Sequence, residues 1–267
     1  MSKLNLPKIG LGTMMGNSNN AKEAFIAGIQ MGFRFLDTAQ MYLNESTVGS
    51  AIRESGVSRD EIILATKLWV TNMSPNRVIK SAERSIKRLG LDHIDVLYIH
   101  WPVRFKKIEE TLSAMSKLVD QEKINHIAVS NYEPEHITKA LEVCDKPIVA
   151  NQVEMHPWLQ QKELREFLNK KKIKLVSYFP LLHGRFKIVP EIVEIAEKHQ
   201  VSGAQVSLAW AMSKGVIPIP KSANVKHLED NYNSLQLKLD KKDIQAIDSI
   251  TKVKRFLKVP FLAPSSW

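Results

Sequence analysis

The sequence predicts a closed (β/α)8 barrel, the TIM-barrel architecture, as one domain over residues 1–267. Two observations carry that expectation. Eight short β-prone runs recur along the chain, and most are continuously apolar, as strands buried on both faces are. Amphipathic stretches of helical period separate them, which is the rhythm of a parallel sheet wrapped in helices. A length of 267 residues suits two average domains or one large barrel, and no composition break marks a boundary. A third observation removes the competing doubly wound sheet, which should open with Gly-x-Gly-x-x-Gly. The nearest stretch, "GLGTMMG", brings its third glycine one residue late, at Gly16 instead of Met15, and runs on into "NSNN".

The first expected strand is Ile9–Thr13, followed by a helix from Asn20 to Met31 with Ala24, Phe25, Ala27, Gly28 and Met31 near one face. Phe33–Asp37 is the second strand and Ile62–Lys67 the third. Ser58 and Glu61 resemble a helix cap, but a strand follows at once, so a turn is expected. Ser74-Pro75 opens the next helix, with proline at its first position, and Gly90 closes it. Val96–His100, Ile127–Ser130, Ala150–Glu154, Leu175–Tyr178 and Val216–Pro220 complete the strands. Pro134 and Pro190 sit near helix starts, and Asp240 opens a terminal helix reaching about Ile250. The tail from about residue 251, with Pro260, Pro264 and Trp267, reads as irregular.

A net charge of +10 invites a nucleic-acid or membrane reading, but the lysines are spread along the chain. The densest run, "KKKIK" at 170–174, falls where a helix should end, and cations suit a helix C-terminus. No nucleic-acid motif, zinc-ligand spacing or long apolar run appears, so no nucleic acid, membrane or metal is expected. The single cysteine, Cys144, fits a reducing compartment, and the start "MSKLNLPKIG" lacks a signal-peptide core; the expectation is a cytoplasmic protein, monomeric.

In such a barrel the polar residues that end the strands meet on one rim. They are Asp37, Lys67, His100, Ser130 with Asn131, Gln152 with Glu154, Tyr178, and Lys221 with Ser222. Taken singly, Asp37 is as readily a turn former, Lys67 a snorkelling side chain, His100 a core histidine and Tyr42 ordinary packing. Together they are harder to explain that way. A lysine beneath the barrel mouth is desolvated and needs an anion, which Asp37, one strand away, supplies. A phenol, with its ordinary pKa of about 10, is a poor acid at neutral pH, and a nearby ammonium should lower that value. A histidine on the same rim orients a carbonyl oxygen or assists proton transfer. The set suits reduction of an aldehyde or ketone, with hydride reaching carbon while Tyr42 protonates oxygen.

The ordered segments "GFRFLDTAQMYLNE", "ATKLW", "YIHWP", "VSNY", "NQVE" and "IPIPKS" resemble the aldo-keto reductases, over most of the chain from "LPKIGLGTMM" to about Asn231. The short connections are similar to those of compact prokaryotic-type members of the diketogluconate reductase branch. The resemblance implies an NADP(H)-dependent enzyme with a catalytic tetrad of Asp37, Tyr42, Lys67 and His100. It implies cofactor contacts from Gly12, Thr13 and Asp37, and from Ser130, Asn131 and Gln152 at the nicotinamide carboxamide. Tyr178 would stack on the nicotinamide, Pro180 and Leu181 of "FPLLHGRF" would cover the pyrophosphate, and Lys221, Ser222, His227 and Asn231 would hold the adenosine end. Met14, Trp69, His100 and Trp101, with Phe105, would line a small-molecule carbonyl pocket, and the tail from Val253 to Trp267 would close over it. His227 departs from the pattern, which has an arginine there gripping the 2′-phosphate; histidine is ordinarily a cation only below about pH 6.5. A weakened NADP(H) preference, with NAD(H) also usable, follows. Two other readings stay open: a Schiff-base aldolase or lyase using Lys67, and a non-catalytic NADPH-sensing partner protein.

Overall fold

The computed structural model describes residues 4–14, 20–103, 105–260 and 262–264. Eight strands form one sheet in chain order, every neighbouring pair parallel. They are β1 Leu11–Gly12, β2 Phe35–Asp37, β3 Ile63–Leu68, β4 Ile94–Ile99, β5 Ile124–Ser130, β6 Ile148–Glu154, β7 Lys174–Tyr178 and β8 Ile217–Pro218. Helices follow on the outside: α1 Ala21–Met31, α2 Glu45–Glu54, α3 Pro75–Leu89, α4 Ile108–Asp120, α5 Pro134–Val143, α6 Lys162–Lys170, α7 Pro190–His199, α8 Gly203–Ser213, α9 Val225–Asn233 and α10 Lys241–Asp248.

The sheet closes on itself. Gly10 and Gly12 donate their backbone N–H to the carbonyls of Pro218 and Pro220 at 3.0 and 2.9 Å, while Ile219 donates the other way, to Ser177 of β7 at 3.0 Å. The prolines of "IPIP" lack N–H groups on the β1 side, so this seam is bonded through their carbonyls. Glycine is required opposite them: a Cβ on Gly12 would lie 2.8 Å from the Ile219 carbonyl oxygen, and one on Gly10 would lie 2.5 Å from the Phe35 ring. The glycines of the rejected dinucleotide pattern therefore serve barrel closure; Gly16 lies outside the described residues.

Strand parity sorts the core. Phe35, Ala65, Val96, Tyr98, Ala128, Ala150, Val176, Ile217 and Ile219 fill the barrel interior. Leu36, Leu64, Leu97, Ile127, Val129 and Leu175 point outward into the larger layer shared with the helices. Burying apolar side chains on both faces explains why the strand sequences do not alternate.

Several strands begin later than the apolar runs do, for a local reason. Phe33 N–H bonds to Gly28 O and Val216 N–H to Ala211 O, so each of these residues closes the preceding helix before its strand starts. Residues 59–61 form a single 3-10 turn where a turn was expected. Pro75, Pro134 and Pro190 are first helical residues, Gly90 ends α3 at φ 63°, and Asp240 caps α10 by accepting from Lys242 and Asp243 N–H. On α1 the buried face includes Ile29, with Ala27 and Met31 only half-buried. Residues 251–259 carry no regular element, and Trp267 lies outside the described residues. Among the described residues no helix is long and apolar enough to cross a membrane.

Candidate active site

The interior parity that fills the barrel also places the polar rim. Asp37, Lys67, His100, Ser130, Gln152 and Tyr178 each stand two residues beyond an interior side chain, Phe35, Ala65, Tyr98, Ala128, Ala150 and Val176 respectively. The alternation carries all of them inward, to the carboxyl end of the barrel. There they border one cavity of about 910 Å3, which runs from Tyr42, Trp69 and Trp101 at one end to Lys221, His227 and Asn231 at the other. Lys67 is the exception. It lies beneath the cavity floor, fully buried.

The Lys67 ammonium forms an ion pair with Asp37 and donates to the Thr38 carbonyl at 2.9 Å. Its Nζ lies 3.5 Å from the Tyr42 hydroxyl. Gln152 Nε2 donates to the second Asp37 oxygen at 2.7 Å. Burial opposes the Lys67 charge, but Asp37 and Tyr42 more than offset it and hold the ammonium above its ordinary pKa. Burial raises Asp37, against the pull of Lys67 and Gln152. With both partners hydrogen-bonded to each other and to fixed neighbours, the pair is ionised. A lysine bound this way, out of the cavity, does not serve as a Schiff-base nucleophile.

Tyr42 is not on a strand. It ends a 3-10 turn, Gln40–Tyr42, which Gln40 pins to β3 and α3. Gln40 Oε1 accepts from Trp69 N–H at 3.0 Å and from Asn72 Nδ2 at 2.9 Å, and its Nε2 donates to Ser85 Oγ at 3.1 Å. His100 lies edge-on to Tyr42, with ring centroids 6.1 Å apart, and is bracketed by Trp69 and Trp101 at 5.4 and 6.4 Å. Burial, then the Lys67 charge, lowers the His100 pKa well below its ordinary value, so its imidazole is neutral. Its Nδ1 is buried without a partner among the described residues.

The cavity fits a nicotinamide dinucleotide. The Tyr178 ring stands at its wall, fixed by its hydroxyl donating to Asn131 Oδ1 at 2.8 Å, and so offers a flat face for stacking. Asn131 in turn donates to the His100 carbonyl at 3.0 Å and to Ser130 Oγ at 3.2 Å, and Ser130 donates to the Gln152 carbonyl at 2.8 Å. These amide and hydroxyl groups are held in one network, with Asn131 in the left-handed region at φ 65°.

A model described as the Aldo/keto reductase family matches residues 8–252. The chain belongs to that family. It is 38% identical over 251 residues to the glyoxal reductase of Bacillus subtilis (strain 168), covering 94% of this chain and 91% of that protein. It is 34% identical over 262 residues to the methylglyoxal reductase DkgB of Escherichia coli O157:H7, covering 97% and 98%. The crystal structure of MGS-M4, an aldo-keto reductase enzyme from a Medee basin deep-sea metagenome library, superposes with a TM-score of 0.93 at 32% identity, covering 96% and 95%. The enzyme is an oxidoreductase of carbonyl compounds that uses a nicotinamide cofactor.

Two expectations for this aldo-keto reductase need correction. Phe105 does not line the cavity. It sits in the turn before α4 with its ring edge-on to His136, 4.6 Å away, in the packed layer between helices. The ammonium does not bring Tyr42 below its ordinary pKa either: burial raises the phenol, and Lys67 offsets only part of that rise. Residues missed by sequence reasoning also border the cavity, among them Met41 and Asp230, while Phe179, Leu257 and Val259 border it from the two segments expected to cover it, "FPLLHGRF" and the tail. Asp230 is held by Ser202 Oγ at 2.6 Å and Gln205 Nε2 at 2.7 Å, and only the polarity of "LEDN" beside Asn231 could have pointed to it.

These shifts give a pH expectation. Tyr42, raised, stays protonated up to at least its ordinary value of about 10, and His100, lowered, is neutral above its ordinary value of about 6.5. Neither group changes charge between the two, so kcat for carbonyl reduction at saturating cofactor should be flat from about pH 6.5 to about pH 9.5. A titration near neutrality would assign the proton to a different group.

Proposed function

We propose that this reductase converts aldehydes and ketones to alcohols with NADP(H), Tyr42 giving the proton to the carbonyl oxygen. The observation that carries the reading is the Tyr42 hydroxyl 3.5 Å from a fully buried Lys67 ammonium, with neutral His100 beside it on the same cavity. His100 holds the carbonyl oxygen next to the phenol. Tyr42, kept protonated by burial, transfers its proton as charge develops on that oxygen, and the Lys67 ammonium stabilises the phenolate left behind. Asp37 keeps Lys67 charged and in place. Tyr178 would hold a reduced nicotinamide, which would supply the hydride when bound. Ser130, Asn131 and Gln152 would hold its carboxamide, while Gly12, Thr13, Pro180, Leu181, Ser222 and Asn231 would hold the rest of the dinucleotide.

Met14, Trp69 and Trp101 give the substrate end apolar walls around a small polar centre, which suits aldehydes and α-dicarbonyls with varied tails. The whole 1–267 chain works as one domain, a cytoplasmic monomer; its single cysteine suits that compartment. The test is NADPH oxidation across aldehydes, ketones and sugar-derived dicarbonyls. Turnover supports the reading, and binding of NADPH with no turnover on any of them favours a sensor.

Lys221 and His227 are exposed at the adenosine end, His227 in the first turn of α9. A helix N-terminus and a lysine favour a phosphate there, but histidine lacks arginine's permanent two-pronged charge. His227→Arg should therefore raise the NADPH-over-NADH ratio in kcat/KM by roughly tenfold. A large NADH preference in the unmodified enzyme would overturn the NADP(H) assignment.

A further inference from the structure

Glu154, the last residue of β6, has no part in the chemistry above, yet its carboxylate is fully buried. An isolated carboxylate in that position is costly, so its partners matter. His156 Nε2 lies 2.9 Å away, and the other two donors come from the far end of the chain: Phe256 N–H at 2.6 Å and Leu257 N–H at 2.8 Å. Burial opposes the carboxylate's charge, but these donors hold its pKa below the ordinary value. The tail they belong to has no regular structure, and Leu257 and Val259 from it border the cavity.

Phe256 faces the other way. Its ring packs against His156 at 5.1 Å and Trp158 at 6.2 Å after β6. It also meets His183, at 5.1 Å, and the Arg185 guanidinium, again at 5.1 Å. Those two residues belong to the segment Leu182–Ile188, whose His183, Gly184, Phe186 and Lys187 border the cavity from the cofactor side. Two walls of the cavity, from distant parts of the chain, thus meet on one aromatic ring, and the backbone of that ring is held by one buried carboxylate.

We propose that Glu154 is a positioning residue that latches the substrate-side tail and, through Phe256, the cofactor-side segment 182–188, so that both walls close or loosen together. The proposal rests on the reductase reading of the cavity.

Two variants test it. Glu154→Gln keeps the side chain's size but turns one acceptor into a donor facing N–H groups. Phe256→Ala leaves Glu154 intact and alters a half-buried ring whose loss does not threaten the barrel, so it decides the matter if the first variant misfolds. In both, KM for 4-nitrobenzaldehyde should rise about fivefold or more and Kd for NADPH about threefold or more, with kcat retained within about twofold. In Glu154→Gln, trypsin cleavage after Arg255, followed by fragment mass, should speed up about tenfold. Unchanged trypsin protection in Glu154→Gln would overturn the anchor. A raised KM with unchanged NADPH Kd in Phe256→Ala would overturn the coupling of the two walls. If the unmodified enzyme fails to turn the aldehyde over, the reductase reading falls, and the proteolysis and NADPH-binding results still judge the latch.

Discussion

Tyr42→Phe is expected to lower kcat for aldehyde reduction by about a thousandfold, within the range that a positioned general acid supplies. NADPH affinity should stay within about twofold, because the variant removes one oxygen and keeps the ring. The size of the loss depends on whether a neighbour can replace the phenol. His100 cannot, since burial and the Lys67 charge keep it neutral, and a neutral imidazole is a weak acid. Lys67 cannot either, since its ammonium is committed to Asp37 and the Thr38 carbonyl below the cavity floor. Quenching of tryptophan fluorescence by NADPH, alongside single-turnover kinetics, separates binding from chemistry, with Trp69 and Trp101 at the cavity as reporters. Full activity in the variant would mean that the proton comes from elsewhere.

Most of this site was legible in the sequence because a barrel converts position along a strand into position in space. Once the eight runs are recognised, the side chain two residues past the last interior residue of a strand must arrive at the rim. That logic reaches Asp37, Lys67, His100, Gln152 and Tyr178 without any knowledge of loops. It fails where loops decide. Phe105 was expected in the pocket because it follows "HWPV" closely, but it sits in a turn whose direction no strand sets, and its ring finds His136 instead. The tail has no period, so only the family resemblance placed it over the pocket; which of its residues reach the cavity, Leu257 and Val259, depends on Glu154, about a hundred residues earlier in the chain.

The sign of the Tyr42 shift was hidden for a different reason. The attraction of Lys67 for a phenolate follows from which residues meet, and the sequence supplies that. The opposing cost follows from how much water the fold removes around the hydroxyl, and only the packed structure supplies that. The proposed mechanism changes accordingly. The lysine would not make the resting phenol acidic but would limit the cost of the phenolate left once the proton has gone.

The second large effect concerns Lys67 itself, where a loss of activity alone would be ambiguous. Lys67→Met leaves the Asp37 carboxylate buried with Gln152 as its remaining side-chain partner, and should cost about 3–5 kcal/mol of stability in urea denaturation, as broken buried pairs do. Asp37→Asn should also destabilise, by stranding the ammonium. The double variant Asp37→Asn/Lys67→Met removes both charges, and because a buried pair replaced by neutral groups is often close to neutral, it should recover most of that loss. Activity should not follow. With no ammonium 3.5 Å from the Tyr42 hydroxyl, the phenolate formed after proton transfer is unsupported, and kcat should stay about a hundredfold or more below the parent enzyme. A double variant that regained both stability and turnover would reduce Lys67 to a structural ion-pair partner and leave stabilisation of the Tyr42 phenolate to His100 and the other groups at the cavity.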